Sequence, residues 1–489
     1  MTLAELAREG LGIELGPSAP GRTKVTGVSQ DHRKVQPGHV FVARVGAKFD
    51  GHRYVRLAIE QGAIAVVGMK EAGPVLPWNS TPYLQVDDDR VALARLAATF
   101  QRFPSRSLQV VGVTGTDGKT TVSTLLHHLL AGEFRSGLMS TAGIRAGSEL
   151  LPLEGHFTTP EASEVQAILA AFRDRGCTHA VVESSSHALA MHRLDGVEYD
   201  LAVWTNLSPE HLDYHGSLEA YREAKLTLIR RSPVAVLNRD DEQFEAFAEA
   251  AKLIISYGVD PLADWRAEEI EEVSMGLSFT IVSPAGRCHA LLPMVGGFNV
   301  HNALAAAAAA SHLGVPLDSI VRRLADFGGV PGRMQIIQRE PFAVVVDFAH
   351  TGPALEKALA ALRPAVAGRI LLVVGAAGER DPGKRRPLGR AAARGSDFTF
   401  FTEEDHRSES LEAILDELEA GALEAGATPH SFERVPDRRE AIAAAIAAAR
   451  EGDLVLLAGK GHESSLERAN EVLPWDEAAE ASRHLSGAG

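Results

Sequence analysis

An apolar, β-branched run leads into a glycine-rich turn and then into a run with helical periodicity. The three parts read LQVVGVTG, TDGKT and TVSTLLHHLLAG, over residues 108–132. A buried strand, a tight turn and a helix form the repeating unit of parallel α/β sheets. The turn can bind phosphate, because its backbone N–H groups and the helix N-terminus attract anions. The segment therefore predicts an α/β fold with a nucleotide-binding loop.

The loop differs from the usual G-x-x-x-x-G-K-[ST] pattern, since Val113 stands in place of the first glycine. In such loops the lysine reaches the β- and γ-phosphates, and the next hydroxyl contacts Mg²⁺. An ordinary turn with an exposed lysine is the structural alternative, and the strand and helix around the loop disfavour it. The residues that we expect to bind ATP here are Thr114, Gly115, Thr116, Asp117, Gly118, Lys119 and Thr120.

Strand-like and helix-like runs divide the chain into three blocks. Residues 1–104 mix short β-rich pieces with helices, the last of which, VALARLAATFQRFP, should end at Pro104. Residues 105–330 add the buried strands HAVVES, LAVWTN and VAVLN to the loop. Residues 331–489 repeat the alternation from FAVVVDFAH to DLVLLAGKG. The alternation predicts parallel sheets and a three-domain chain.

The composition limits which classes of protein and which binding partners are possible. The 489 residues carry 49 Lys and Arg against 64 Asp and Glu, a net charge of −15, so nucleic acid is not an expected partner. Cys177 and Cys288 are the only cysteines, which excludes a disulfide framework and a thiolate zinc site. No signal-type segment and no apolar run of the ~18 residues that span a bilayer is present. We expect a cytoplasmic protein without a membrane partner.

At the loop the sequence resembles the Mur ligase family, whose loop reads G-T-N-G-K-T-T, with Asp117 in place of the asparagine. Any one further motif is weak, but many in the family's order across nearly the whole chain are specific. These motifs are TTP at 158–160, ESSSH at 183–187, HR at 192–193, TNLSPEHLDYHG at 205–216, YREAK at 221–225, NRDDE at 238–242, GGFNVHN at 296–302, PGRM at 331–334, VDFAHT at 346–351, ERDPGKRRPLG at 379–389 and AGKGHE at 458–463.

The resemblance implies the three-domain Mur ligase architecture. Residues 1–104 would bind the UDP substrate, residues 105–330 would form a central P-loop ATPase domain with a parallel sheet, and residues 331–489 would form a Rossmann-like domain for the amino acid. The implied reaction adds a diamino acid to UDP-N-acetylmuramoyl-L-alanyl-D-glutamate, a peptidoglycan precursor, through an acyl phosphate. ATP is the expected co-substrate, Mg²⁺ the expected cofactor, and a monomer the expected state.

Four residues match the family's catalytic positions: Lys119, Glu183, His211 and Lys225. In the family the matching Glu and His bind Mg²⁺ with the loop hydroxyl, here Thr120, and the matching lysine is carbamylated. A carbamate offers oxygen ligands, which suit Mg²⁺. Taken singly, Glu183 could instead be a helix-cap partner, His211 an ordinary histidine, and Lys225 a solvated helix lysine.

Further matches concern the other ligands. The family's contacts to the nucleotide-linked dipeptide fall on His32, Thr158, Thr159, Ser185 and Arg193. His32 replaces a serine, and Asp31 and Arg33 beside it could equally form a structural turn pair. The remaining ATP contacts fall on Asn299, Asn302, Arg333 and Asp347. The two asparagines could alternatively cap a helix, the threonines a strand end, and Arg193 could lie on the surface.

The amino-acid contacts implied by the family are Arg380, Glu404, Asp405, Arg407, Gly459 and Glu463. Enzymes that use meso-diaminopimelate typically carry D-N-P-R where this chain has Glu404 to Arg407. Arg407 favours that substrate, because a distal carboxylate needs a cation. Asp405 would repel the carboxylate and could pair with Arg407, which favours L-lysine or L-ornithine by a small margin. A solvated acidic loop is the structural alternative.

Two other classes of function compete with this interpretation. A folylpolyglutamate-synthase-like ligase would share the plan and the loop, but the DHRKVQPGHVFVA and TTPE segments disfavour it. A P-loop switch or motor ATPase would need neither Arg193 nor the AGKGHE segment. ATP hydrolysis that ignores the dipeptide precursor would identify that class.

Overall fold

The computed structural model describes residues 1–16, 21–46, 49–69, 81–152, 158–273 and 275–486. The chain divides into two compact units, residues 1–264 with 305–315 and residues 265–304 with 316–489. Each unit has its own hydrophobic core. In the described ranges, no helix combines the length and hydropathy that a bilayer crossing requires.

The first unit opens with a small parallel sheet packed on helices. Its strands are β1 (Gly27–Ser29), β2 (His39–Ala43), β3 (Ala65–Gly68) and β4 (Tyr83–Gln85), paired in chain order. Its helices are α1 (Leu3–Leu11), α2 (Val55–Glu60) and α3 (Asp89–Phe100). The helix predicted to run to Pro104 ends earlier, at Phe100, because Arg102 and Phe103 turn the backbone to φ values of 59° and 50°.

A larger sheet follows in the same unit. Its strands are β5 (Gln109–Thr114), β6 (Ser136–Ser140), β7 (Gly143–Ala146), β8 (Glu149–Leu151), β9 (His179–Glu183), β10 (Leu201–Trp204), β11 (Val234–Asn238) and β12 (Ile254–Gly258). The helices are α4 (Lys119–Leu130), α5 (Ala162–Asp174), α6 (Ser186–Ala190), α7 (Leu212–His215), α8 (Leu218–Arg231) and α9 (Phe244–Ala250).

The spatial order β12-β11-β10-β5-β9-β6-β7-β8 places the strand before the phosphate loop in the middle of this sheet. The pairs from β12 to β6 are parallel, and β7 and β8 add an antiparallel edge. The carboxyl ends of β5, β9 and β10 therefore lie side by side, which is where open α/β sheets bind ligands. The predicted α/β class is confirmed.

The second unit begins with an antiparallel meander that the sequence did not indicate. It consists of β13 (Trp265–Val273), β14 (Gly276–Ser283) and β15 (Gly286–Leu292). The helix α10 (Phe298–His312) follows, with residues 298–304 in this unit and 305–312 in the first, and then α11 (Leu317–Ala325). A six-stranded sheet and a two-stranded antiparallel hairpin complete the unit.

The six-stranded sheet consists of β16 (Gln335–Gln338), β17 (Ala343–Asp347), β18 (Ile370–Val374), β19 (Phe398–Phe401), β20 (Phe432–Arg434) and β21 (Leu454–Ala458). Its order is β16-β17-β21-β18-β19-β20, and its pairs are parallel except for that of β16 with β17. The hairpin is formed by β22 (Ser465–Arg468) and β23 (Glu471–Pro474). The helices are α12 (Gly352–Leu362), α13 (Arg385–Gly395), α14 (Leu411–Glu424), α15 (Arg438–Ala448) and α16 (Glu477–Ser486). β17, β18, β19 and β21 are almost wholly buried, as apolar strands with helices on both faces should be.

Candidate functional site

The phosphate loop joins β5 to α4, and hydrogen bonds from the residues that follow β10 hold its backbone. Asn206 O accepts from Thr116 N at 2.9 Å, and Thr205 Oγ1 donates to Asp117 O at 2.6 Å. Gly115 has φ 152°, and a Cβ there would collide with the Thr205 hydroxyl, so only glycine fits. Gly118 precedes α4 without a side-chain cap. The first backbone N–H groups of α4 are therefore left to bind an anion.

Lys119 and Thr120 lie on the first turn of α4. Lys119 Nζ donates to Gly115 O at 3.1 Å and to Thr116 O at 2.6 Å. Thr120 Oγ1 donates to the two carboxylate oxygens of Glu183 at 3.0 and 3.2 Å. Glu183, which ends β9 and is 1% exposed, also accepts from Thr141 N at 2.9 Å. The structure thus brings these loop residues and Glu183 together, and Glu183 is not a helix-cap partner.

Lys225 lies on α8 beneath the same loop. It is 1% exposed, and its Nζ donates to Gly115 O at 2.5 Å and lies 4.4 Å from the centre of the Tyr221 ring. Burial, and then the charge of Lys119, lower the pKa of Lys225 well below its ordinary value. Such a shift favours the neutral, nucleophilic form of the amine. The solvated-lysine alternative is therefore wrong.

His211 adjoins the loop through aromatic contacts. It precedes α7 at φ 54°, and its ring centre lies 4.8 Å from that of His187 and 6.4 Å from that of Tyr221. The Tyr221 hydroxyl shares a hydrogen bond of 3.1 Å with Thr116 Oγ1. Burial first, and then His211 and His215, lower the pKa of His187 to about 4. This end of the site is thus lined by imidazole and phenol rings.

The donor set can be compared with the preferences of Mg²⁺. The hydroxyl of Thr120 and the carboxylate of Glu183 are hard oxygen donors in contact with each other, and Mg²⁺ prefers such ligands. Lys225 as an amine is not a ligand, but its carbamate would be. In the described residues, no three His, Cys, Asp or Glu side chains form a metal site by themselves. The oxygen donors fit Mg²⁺ bound jointly with nucleotide phosphates.

Three of the residues matched to the dipeptide lie together beside Glu183. Thr159 Oγ1 donates to Glu183 O at 2.8 Å and to Ser185 Oγ at 3.3 Å. Arg193 Nη1 donates to Thr159 O at 3.0 Å. Ser185 also caps α6 by accepting from Ala188 N. Thr158 precedes them and is half-buried.

Glu161, which the sequence analysis did not single out, holds Arg193. Its Oε1 lies 2.7 Å from Arg193 Nη2, and its Oε2 lies 2.7 Å from Arg44 Nη1. The only sequence signal was its place in the TTPE segment. The carboxylate joins the strand-end loop after β2 to the dipeptide residues and fixes the orientation of the Arg193 guanidinium.

His32 lies in the first unit, in a 3₁₀ turn after β1. Its ring stacks on Tyr54 with centres 4.4 Å apart and planes within 4°. Asp31 accepts from Arg33 Nε at 3.0 Å and Nη2 at 2.7 Å, and this bond lowers the pKa of Asp31. Asp31 and Arg33 thus form the structural turn pair that was the alternative for them, and the stacked ring of His32 stands beside it.

The other residues matched to ATP lie in the second unit. Asn302 Nδ2 donates to Asn299 Oδ1 at 2.8 Å, and both lie inside α10, so the helix-cap alternative is wrong. Asp347 accepts from Met334 N at 2.8 Å and from Ala349 N at 2.9 Å, and burial raises its pKa. The Arg333 guanidinium lies 4.7 Å from the centre of the Phe348 ring. The structure therefore forms two small groups, one on α10 and one at the end of β17.

The residues matched to the amino acid surround the loop after β19. Glu404 is 6% exposed, and burial raises its pKa to about 7. A Cβ on Gly459, which has φ 106°, would lie 2.9 Å from Glu404 Oε2. Asp405 Oδ1 accepts from Lys460 Nζ at 2.7 Å, and the same Nζ lies 2.6 Å from Glu463 Oε2. These groups are buried together, so the solvated-loop alternative is wrong.

Arg407 and Arg380 differ in their surroundings. Arg407 Nε donates to Glu467 Oε2 at 2.8 Å and Nη1 to Gly378 O at 2.7 Å, while Nη2 lies 3.7 Å from Asp405 Oδ2. Arg380 is exposed in the loop after β18. Sequence reasoning missed two residues here. Lys460 lies inside the AGKGHE motif and could have been found, whereas no signal marked Glu467.

Comparisons with known proteins cover nearly the whole chain. Family models described as the Mur ligase family catalytic domain, the Mur ligase middle domain and the Mur ligase glutamate ligase domain match residues 24–101, 113–310 and 332–461. A UDP-N-acetylmuramyl-tripeptide synthetase of Deinococcus radiodurans is 50% identical over 466 residues, which cover 94% of each chain.

Two further similarities concern ligases named for 2,6-diaminopimelate. The UDP-N-acetylmuramoyl-L-alanyl-D-glutamate--2,6-diaminopimelate ligase of Streptomyces coelicolor is 40% identical over 484 residues, covering 97% of this chain and 94% of its own. A solved structure of a ligase with that name superposes with a TM-score of 0.72 at 32% identity, over 100% of this chain and 99% of the other.

Proposed function

The chain belongs to the Mur ligase family and is a ligase, and we propose that it joins a diamino acid to UDP-N-acetylmuramoyl-L-alanyl-D-glutamate at the expense of ATP. The observation that best supports this proposal is the group formed by the uncapped N-terminus of α4, Lys119, the Thr120–Glu183 contact and buried Lys225. Such a group provides what phosphoryl transfer needs, which is charge neutralisation and alignment.

In the first step the dipeptide carboxylate attacks the γ-phosphorus of ATP, and ADP leaves with the bonding electron pair. The N–H groups of α4 and the Lys119 ammonium bind phosphate oxygens and stabilise the developing charge. We propose that Asn299, Asn302, Arg333 and Asp347 contact the remainder of the nucleotide. When bound, Mg²⁺ would neutralise phosphate charge, and the residues proposed to hold it are Thr120, Glu183, His211 and Lys225 as its carbamate.

The low pKa of Lys225 supports its carbamylation. The neutral amine attacks the carbon of CO₂, a C–N bond forms, and the nitrogen loses a proton, which leaves a carbamate anion. That anion would place oxygen ligands next to the loop, where the amine offers none to Mg²⁺. The same burial would keep water from the modified group.

The dipeptide and the amino acid are proposed to bind at separate groups of residues. Arg193, held by Glu161 and by Thr159 O, presents a fixed guanidinium to a carboxylate of the dipeptide, with Thr158, Ser185 and His32 as further contacts. The amino acid would bind at the loop after β19 with Gly459, Glu463 and Arg380. Its amine then attacks the acyl phosphate, the C–N bond forms and phosphate leaves. We place the reaction in the cytoplasm, in keeping with two free cysteines.

Phosphate release and product mass measured together test the proposal. The protein is incubated with ATP, Mg²⁺, the dipeptide precursor and a panel of diamino acids, and each component is omitted in turn. Phosphate release that needs both precursor and diamino acid, with a product of the tripeptide mass, is expected. ATP hydrolysis indifferent to the precursor would support the switch or motor alternative instead, and ligation of glutamate to a folate would support a folylpolyglutamate-synthase-like ligase.

A further inference from the structure

The guanidinium that could bind a distal carboxylate is already occupied. Glu467, on β22, accepts from Arg407 Nε, and Asp405 lies beside the other end of the guanidinium. The backbones are joined as well, since Arg407 N donates to Glu467 O at 3.1 Å and Glu467 N to Asp405 Oδ1 at 2.9 Å. The β22–β23 hairpin therefore holds Arg407 in an ion pair, and a ligand carboxylate would have to displace Glu467.

A second cation beside the loop after β19 is Lys460, which follows β21, and it is also paired. Lys460 is fully buried, and its Nζ lies between Asp405 and Glu463 at 2.7 and 2.6 Å. The cations that act on Glu404 are Arg438 and Lys460, and Arg438 is paired with Glu477 at 2.6 Å. In the described part of the chain, the cations near this loop are thus already paired, so an added carboxylate would find none available, whereas an added cation would find a carboxyl oxygen without a donor.

One carboxyl oxygen here has neither a hydrogen-bond nor an ion-pair partner among the described residues. Glu404 Oε2 is buried and has no hydrogen-bond partner among the residues that the structure describes. Gly459 leaves the space beside this oxygen open, where any side chain would fill it. A buried carboxyl without a donor is costly, and a charged donor from a ligand would satisfy it. An ammonium group placed there would also reverse the upward shift in the pKa of Glu404.

Diamino acid substrates differ at their far end. Diaminopimelate carries both an ammonium and a carboxylate on its distal carbon, whereas lysine and ornithine carry only an ammonium. Resting on the proposed function, we propose that this enzyme uses a diamino acid that ends in a bare ammonium, of the lysine or ornithine type. Glu404 accepts that ammonium, and Glu467 is the specificity-determining residue that keeps Arg407 from a distal carboxylate.

The test compares kcat/KM for L-lysine, L-ornithine and meso-diaminopimelate with ATP and the dipeptide precursor, in the wild-type protein and in Glu467→Gln. Wild type should prefer lysine or ornithine to meso-diaminopimelate by at least roughly tenfold. Glu467→Gln frees Arg407, so the ratio should move towards meso-diaminopimelate by roughly ten- to a hundredfold, the range of one charged hydrogen bond. Glu471→Gln is the matched control, because Glu471 is an exposed carboxylate on the same hairpin.

Glu404→Gln gives a second measurement. It should raise KM for lysine and ornithine by about tenfold or more while leaving KM for ATP within about twofold. A wild-type preference for meso-diaminopimelate, or a ratio unchanged by Glu467→Gln, would overturn the inference while leaving the ligase activity in place. Absence of ligation with all three amino acids would instead overturn the proposed function, and the inference with it.

Discussion

The phosphate loop and the loop after β19 differ in how their charged side chains are paired. At the phosphate loop, the α4 N-terminus is uncapped, and Lys119 and Lys225 donate to backbone carbonyls rather than to carboxylates. At the loop after β19, Arg407 and Lys460 are paired with carboxylates, and Glu404 Oε2 is left without a donor in the described residues. The first region is prepared for an anion and the second for a cation. At each site the group that the described chain leaves without a partner is one that a ligand of opposite charge can satisfy.

Removing Lys119, the cation of the phosphate loop, should have the largest effect on ligase activity. Lys119→Ala should lower ligation by roughly 10³-fold or more, because the lysine neutralises charge that develops in phosphoryl transfer. Phosphate release gives the rate, and thermal melting should shift little, since Lys119 contacts only loop carbonyls. Lys252→Ala removes an exposed lysine and serves as control. Retained ligation in a folded Lys119→Ala protein would remove the nucleotide site from this loop.

Replacing the buried lysine by a side chain of similar volume tests its modification. Lys225→Met keeps the packing but cannot form a carbamate, so activity should fall by roughly 100-fold, the upper end for groups that support a metal site. Short carboxylates such as formate should restore part of the activity by supplying oxygens. Mass spectrometry of intact protein under native conditions, with and without bicarbonate, should show the added CO₂ in wild type only. A bare amine in an active, ligand-bound enzyme would refute the modification.

A smaller effect on activity is expected from replacing Arg193, whose guanidinium is already oriented for an anionic ligand. Arg193→Ala should raise KM for the dipeptide precursor by roughly 10- to 100-fold, since a charged hydrogen bond contributes ~1.5–3 kcal/mol. KM for ATP should stay nearly constant. Glu161→Gln should produce a weaker change of the same kind, because it loosens the guanidinium without removing it. Equal changes in both KM values would indicate that Arg193 has a structural role only.

The smallest expected effect is a change in the free energy of unfolding with pH, caused by Glu404 in the loop after β19. Glu404 has an ordinary pKa of 4.5 and a folded-state pKa of about 7. Between these values the folded protein holds a proton that the unfolded chain has lost, so the free energy of unfolding should fall as pH rises through this window. The fall is at most about 1.4 kcal/mol per pH unit and should level off above about pH 7. Urea unfolding of wild type and Glu404→Gln from pH 4.5 to 8 measures it. The difference between the two proteins should be flat if Glu404 titrates normally.

The local patterns of the sequence predicted the elements that carry their own signal. The strand before the loop, the three buried strands HAVVES, LAVWTN and VAVLN, and the helix of Lys225 are all present. The antiparallel meander was missed because its outward faces are polar and its strands resemble loop segments until they pair. The proposed three-domain boundaries stay a prediction. The helix expected to reach Pro104 was too long, because the turn before the proline depends on packing rather than on the proline alone.

The sequence by itself determined the α/β class, the family, and the loop residues Gly115 to Thr120, because these depend on short-range order and on motifs within a few residues. Tertiary structure alone decided which charges are paired. Glu467 reaches Arg407 across 60 positions, and Glu161, the residue before α5, joins Arg44 to Arg193. Burial also set the low pKa of Lys225 and the high pKa of Glu404. The physical reason is that desolvation and ion pairing depend on distance in space, which the order of residues does not state.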